Sequence, residues 1–66
     1  MKYIAPGAAE LKTWSRIPVP AKYDQWHMIE WCTTNQSTSY FYFNILHWYF
    51  EKEEDALLFA LKWGSK

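Results

Sequence analysis

The sequence holds one cysteine, carries no net charge, and contains neither a long apolar run nor a motif that names a specific chemistry. Each absence excludes something. A lone Cys32 cannot close an internal disulfide, so a chain of this length must be stabilised by other means. Seven basic residues balance seven acidic ones, and their spread along the chain leaves no electrostatic footprint for duplex nucleic acid or an anionic membrane. Residues 1–7 lack the apolar run of a secretory signal, and no stretch has enough consecutive apolar residues to span a bilayer. A soluble, cytoplasmic protein with a reduced thiol is expected.

What is present is an aromatic load of 21% in 66 residues. A chain this short forms one domain, residues 1–66, and buries only about 60% of the surface its unfolded form exposes. Phe, Tyr and Trp compensate, since each buries roughly 150–250 Å². The load exceeds what one helix on one small sheet can hide, so an aromatic surface and a partner to cover it are expected. Zero net charge favours self-association over mutual repulsion.

The apolar pattern is organised around the last third of the chain. Residues 52–63 read as a helix with Gly64 as its left-handed terminator, and Glu51, Glu53, Glu54 and Asp55 sit at its start, where carboxylates favour the unpaired N–H groups. Ala56, Leu57, Phe59, Ala60, Leu61 and Trp63 form one wide apolar arc. Leu58 falls outside that arc and is the helix's candidate contact residue.

Upstream, Pro6, Pro18 and Pro20 break residues 1–21 into a strap, of which residues 8–14 can form about two helical turns and residues 15–20 an extended connector. Residues 22–34 alternate, with Trp26, Met28, Glu30 and Cys32 on one side and His27, Ile29 and Trp31 on the other, which predicts a strand with apolar residues on both faces. Asn35-Gln36-Ser37-Thr38-Ser39 reads as a polar hairpin loop. Residues 40–50 are long for one strand, and Asn44 favours a bend or a division there. As a single strand they put Tyr40, Tyr42 and Trp48 on one face.

No catalytic site emerges from these residues. His27, Cys32, His47 and Glu30 have the chemistry of zinc ligands, but His27 and Cys32, five apart on one strand, point to opposite faces, so neither a metal nor another cofactor is expected. Nucleophilic catalysis needs a base oriented by a third group, which nothing suggests, and so small a domain has little room for a pocket of several hundred Å³. The chain is read as non-enzymatic. An aromatic sheet face carrying Tyr40, Tyr42 and Trp48 can stack single-stranded nucleic acid, the alternative function. No Lys or Arg lies between Ser39 and Glu51, however, so nucleic acid is disfavoured. Trp14 with Arg16 supplies one further candidate contact, because Trp, Tyr and Arg dominate interface energetics.

The run Phe50-Glu51-Lys52-Glu53-Glu54-Asp55-Ala56-Leu57-Leu58-Phe59-Ala60-Leu61-Lys62-Trp63 resembles the strand-to-helix ending of small uncharacterised proteins of tailed bacteriophages. Asp55-Ala56, Phe59, Leu61 and Trp63 carry the likeness. It implies an accessory protein that acts in the host bacterial cytoplasm by binding a host or phage protein, and it transfers no site residue. The expected fold is α+β: a small antiparallel sheet of two or three strands, built by residues 22–66, with the C-terminal helix across one face and the strap along an edge. The expected function is a protein-interaction module, a homodimer or the binder of a larger partner that it modifies or inhibits. Its contacts are sought at Tyr40, Tyr42, Trp48, Leu58, Trp14 and Arg16.

Overall fold

The computed structural model describes residues 1–19 and 24–63, so the expected terminator Gly64 and residues 20–23 lie outside the described residues. In chain order the elements are β1 (Lys2–Tyr3), α1 (Ala8–Leu11), β2 (Ser15–Pro18), α2 (Gln25–Thr34), β3 (Tyr40–Phe43), β4 (His47–Phe50) and α3 (Glu53–Trp63). The class is α+β. The sheet differs from the expected one: it has four strands in the order β1-β3-β4-β2, with β1 parallel to β3 and the other pairs antiparallel.

The two additional strands come from the segment expected to be a strap. β1 and β2 form the two edges of the sheet, which explains how Pro18 is accommodated: an edge strand has one row of N–H groups without a ladder partner, so a missing donor costs nothing there. Ile17 lies opposite Trp48 and Arg16 opposite Tyr49. At the other edge Lys2 N–H donates to Ser39 O and Ile4 N–H to Phe41 O, both at 3.1 Å. The helix predicted over residues 8–14 is shorter, ending at Leu11.

Residues 25–34 form a helix where alternation predicts a strand. Asp24 starts it, its Oδ1 accepting from Trp26 N–H at 3.1 Å and His27 N–H at 3.3 Å, as an N-cap carboxylate does. Met28 and Cys32, four apart, then fall on one face and are completely buried. Alternation and helical spacing coexist in this segment, and capping with core demand selects the helix. At its far end the Met1 α-amino group donates to Cys32 O and Asn35 O, each at 2.9 Å, placing a cation against the negative end of the helix.

β3 and β4 divide at Asn44, as the sequence suggests. Asn44 Oδ1 accepts from Leu46 N–H and His47 N–H, both at 2.9 Å, and Asn44 N–H donates to His47 O at 3.0 Å. This tight turn makes Phe43 the partner of Trp48, Tyr42 of Tyr49 and Phe41 of Phe50. Phe41, Phe43, Trp48 and Phe50 thus share the inner face, and Tyr42 and Tyr49 the outer one.

Both α2 and α3 cover the inner face, joining Met28, Cys32, Ala56 and Phe59 to Phe41, Trp48 and Phe50 in one core. Phe59 is its hub: its ring centroid is 5.1 Å from Trp48, 5.0 Å from Phe50, 5.0 Å from Trp63 and 6.1 Å from Trp31. Each fully buried side chain of this size contributes about 1.5–3 kcal/mol. Because Trp31 of α2 packs on Phe59 and Trp63, α3 rolls toward that flank. The other half of the expected arc, Leu57 and Leu61, is left 57% and 83% exposed.

Candidate functional site

The residues singled out from sequence separate onto three parts of the molecule. Trp48 is 1% exposed in the core, and the two-residue turn at Ile45-Leu46 is the reason: it reverses the side-chain parity that an unbroken strand would carry past Asn44. Trp48 therefore neither shares a face with Tyr40 and Tyr42 nor offers itself to a partner, and the stacking platform of those three rings does not assemble. Tyr40 is exposed at the start of β3, while Tyr42 is half-buried on the outer face with its ring 5.9 Å from that of Tyr49. Trp14, read as an exposed contact beside Arg16, is buried; Arg16 is exposed.

The residues with catalytic or metal-binding chemistry lie apart. His27 sits in the first turn of α2, its Nδ1 2.9 Å from Asp24 Oδ2, with both side chains largely in water; exposed pairs of this kind contribute at most about 1 kcal/mol. His47 is half-buried on β4, its ring 5.9 Å from Tyr49. Cys32 is buried, and burial pushes its thiol up to about 12, an effect partly offset by the nearby α-amino group and reinforced by Asp55. A thiol so placed is a poor nucleophile at neutral pH. Among the described residues no three of His, Cys, Asp and Glu come together.

One polar cluster escapes sequence reasoning. Asp55, in the first turn of α3, is buried, and its Oδ2 accepts from the hydroxyls of Ser37, at 2.9 Å, and Ser39. Ser37 Oγ also accepts from Ser39 N–H at 3.3 Å, and Ser37 N–H donates to Asn35 Oδ1 at 2.9 Å. Every buried side-chain polar atom among the described residues has a partner. Among the described residues neither hydroxyl hydrogen-bonds to an imidazole or an amine, and the Met1 α-amino group close by is turned to Cys32 O and Asn35 O, so neither serine is paired with the base that would activate it. It fastens the connector between α2 and β3 to the start of α3. Asp55 is thus more than a helix-terminus charge. The only advance sign was an acid followed at once by the apolar arc.

Besides exposed Trp26 on α2 and Ile45 and Leu46 in the β3–β4 turn, two surfaces gather several apolar or charged side chains. The first is the outward side of α3, where Leu57, Leu58 and Leu61 stand exposed, Leu58 by 48%. The second lies on the outer sheet face, where α1 leaves a cleft of about 400 Å³ lined by Ala8, Leu11, Lys12, Trp14, Arg16 and Tyr49. A cleft of that size was not expected in so small a domain. It forms because α1 is one turn long and cannot cover the strands beneath it. Among the described residues no helix is long and apolar enough to cross a membrane.

No family model, curated protein or solved structure matches the chain.

Proposed function

We propose that the protein is a non-enzymatic protein-interaction module whose contact surface is the outward face of α3, with a second copy of the chain as its first partner. One observation carries this: Leu57, Leu58 and Leu61 are exposed together on one helix while the core closes without them. Leu58 and Leu61 are three apart and Leu57 and Leu61 four, so they form a continuous stripe. Of the contacts sought from sequence, this reading keeps Leu58 and sets aside the aromatic surface.

The charges beside the stripe suit a two-fold arrangement. Glu54 and Lys62 are both exposed and each lies four residues from Leu58. In an antiparallel α3 pair with its axis near Leu58, Glu54 of one copy faces Lys62 of the other, twice over, as an isologous interface requires. Lys62, whose Nζ rests 5.6 Å from the centre of the Trp63 ring, reaches across by changing rotamer. The three leucines of each copy contribute on the order of 1 kcal/mol apiece, against an association cost of about 4–15 kcal/mol. With the two charge pairs added, the surplus at the low end of that cost is about 4 kcal/mol, which corresponds to a weak, reversible dimer in the millimolar range.

Within the same proposal, the likeness of the strand-to-helix ending to bacteriophage proteins supports an accessory protein of the bacterial cytoplasm that modifies or inhibits a larger partner. Sedimentation equilibrium across that concentration range tests the self-association. Leu58→Glu should abolish it. Glu54→Lys and Lys62→Glu should each weaken it, and the two together restore it. A wild-type chain that stays monomeric throughout refutes the dimer; association that survives Leu58→Glu refutes the surface.

A further inference from the structure

The cleft between α1 and the outer sheet face has a composition that the interaction surface on α3 does not explain. Its floor is set by strand register: Arg16 of β2 lies directly opposite Tyr49 of β4, so guanidinium stem and phenol ring are neighbours on the outer face. Tyr49 is in turn paired with Tyr42. Ala8, Leu11 and the buried Trp14 supply its apolar lining. Lys12 follows immediately after α1, where the chain turns through Trp14 N–H donating to Leu11 O at 3.1 Å.

The lining therefore holds two cations, two aromatic rings and a leucine, and no carboxylate. The only side-chain contact within salt-bridge distance among the described residues joins His27 and Asp24, so neither Lys12 nor Arg16 has an acid within that distance there. A volume of about 400 Å³ is within the range of small-molecule sites, roughly 300–1,000 Å³. Arg offers a planar fork to a phosphate or carboxylate, and Lys a mobile point charge. The floor ring and the leucine suit a flat apolar body, which Ala8, being small, leaves room to enter.

We propose that this cleft binds a planar aromatic anion of mononucleotide size, its ring over Tyr49 and against Leu11, its anionic group between Arg16 and Lys12. This site is separate from the α3 surface, and its failure leaves the dimer proposal standing. The test is titration of the labelled protein with adenosine 5′-monophosphate and, separately, indole-3-acetate, followed by amide chemical-shift mapping. Adenosine alone and inorganic phosphate alone serve as part-ligands. Amides of Leu11, Lys12, Arg16 and Tyr49 should shift with at least one of the two anions, and each part-ligand should bind more weakly. Arg16→Gln, an exposed substitution whose fold the same spectrum checks, should weaken binding about tenfold or more; Arg16→Lys should restore part of it, and Leu58→Glu should change nothing. Absence of shifts with both anions, unchanged affinity in Arg16→Gln, or binding of an oligothymidylate but of neither small anion overturns the assignment.

Discussion

Removing both hydroxyls that serve Asp55 should destabilise the protein more than removing Asp55 itself, although the carboxylate looks like the centre of the cluster. The buried carboxylate accepts from Ser37 Oγ and Ser39 Oγ, and no cation pairs with it among the described residues. In Ser37→Ala/Ser39→Ala the charge stays buried and loses both donors, an uncompensated cost of about 3–5 kcal/mol. In Asp55→Ala the charge is gone, and the two hydroxyls, already 2.8 Å apart, bond to each other; the expected loss is about 1–2 kcal/mol. The triple substitution removes charge and donors together. It should therefore be more stable than the double-serine variant by about 2 kcal/mol. Urea unfolding followed by tryptophan fluorescence gives the ranking, and thermal midpoints give an independent one at about 4–8 °C per kcal/mol for a domain of this size. Because a chain of this length is stable by only about 3–10 kcal/mol, the double-serine variant is to be measured in the cold. If Asp55→Ala proves worse than the double-serine variant, or if the triple variant is the least stable, the buried carboxylate is not held by these hydroxyls and the cluster has been misread.

Cys32 gives a pH-dependent prediction. Burial raises its thiol from the ordinary 9.0 to about 12, so between those values the folded chain keeps a proton that the unfolded chain has lost. The unfolded state then binds fewer protons, and stability falls as pH rises through this window, by at most about 1.4 kcal/mol per pH unit; urea midpoints of the wild type should fall more steeply there than those of Cys32→Ala. Below pH 9 alkylation of the thiol should proceed only through unfolding, and rapid labelling of the native chain would contradict its burial. Asn44→Ala deletes the acceptor of two turn N–H groups and should cost about 1–2 kcal/mol, whereas Asn44→Asp should largely preserve the turn; thermal melts distinguish them. Phe59→Ala removes the ring shared by sheet and both long helices and should cost about 3–5 kcal/mol, enough to abolish the folded amide spectrum, while Phe59→Leu should retain it.

Local features were legible in the sequence and long-range ones were not. α3 shows its acidic start and its Ala56, Phe59 and Trp63 spacing within a dozen residues, and Asn44 declares a turn by its own chemistry. The α2 segment is ambiguous in sequence: Trp26, Met28, Glu30 and Cys32 alternate as a strand would, while Met28, Trp31, Cys32 and Asn35 recur at helical spacing in the same stretch. Asp24 before that run was the local cue that distinguishes the two. β1 could not be seen at all: two residues have no period, and they become a strand only because Ser39 and Phe41 offer carbonyls to Lys2 and Ile4. Among the candidate contacts, Leu58 was found because it is out of phase with its neighbours on the same helix. Leu57 and Leu61 were missed because their exposure depends on Trp31, a residue of another helix, claiming Phe59 and Trp63.

The aromatic excess, which first suggested a partner, is mostly absorbed by the fold itself. Along Tyr40-Phe41-Tyr42-Phe43 and again along Trp48-Tyr49-Phe50, rings without a hydroxyl turn inward and tyrosines turn outward. This alternation encodes the sidedness of the sheet, since a phenol can leave its oxygen in water while its ring covers the strand beneath. Aromatic content alone therefore does not argue for a binding face here. Apart from Trp26 in the first turn of α2, 76% exposed, the apolar residues the fold leaves unexplained are aliphatic and have no polar atom to satisfy: Leu57, Leu58 and Leu61 on α3, and Ile45 and Leu46 at the tip of the β3–β4 turn. Turn geometry accounts for the last two, because Asn44 fixes that backbone and their side chains have no strand to lie on. No local constraint requires leucine at three positions on one exposed side of a helix, where charged residues would form the helix equally well. That side of α3 is accordingly where a partner should be sought.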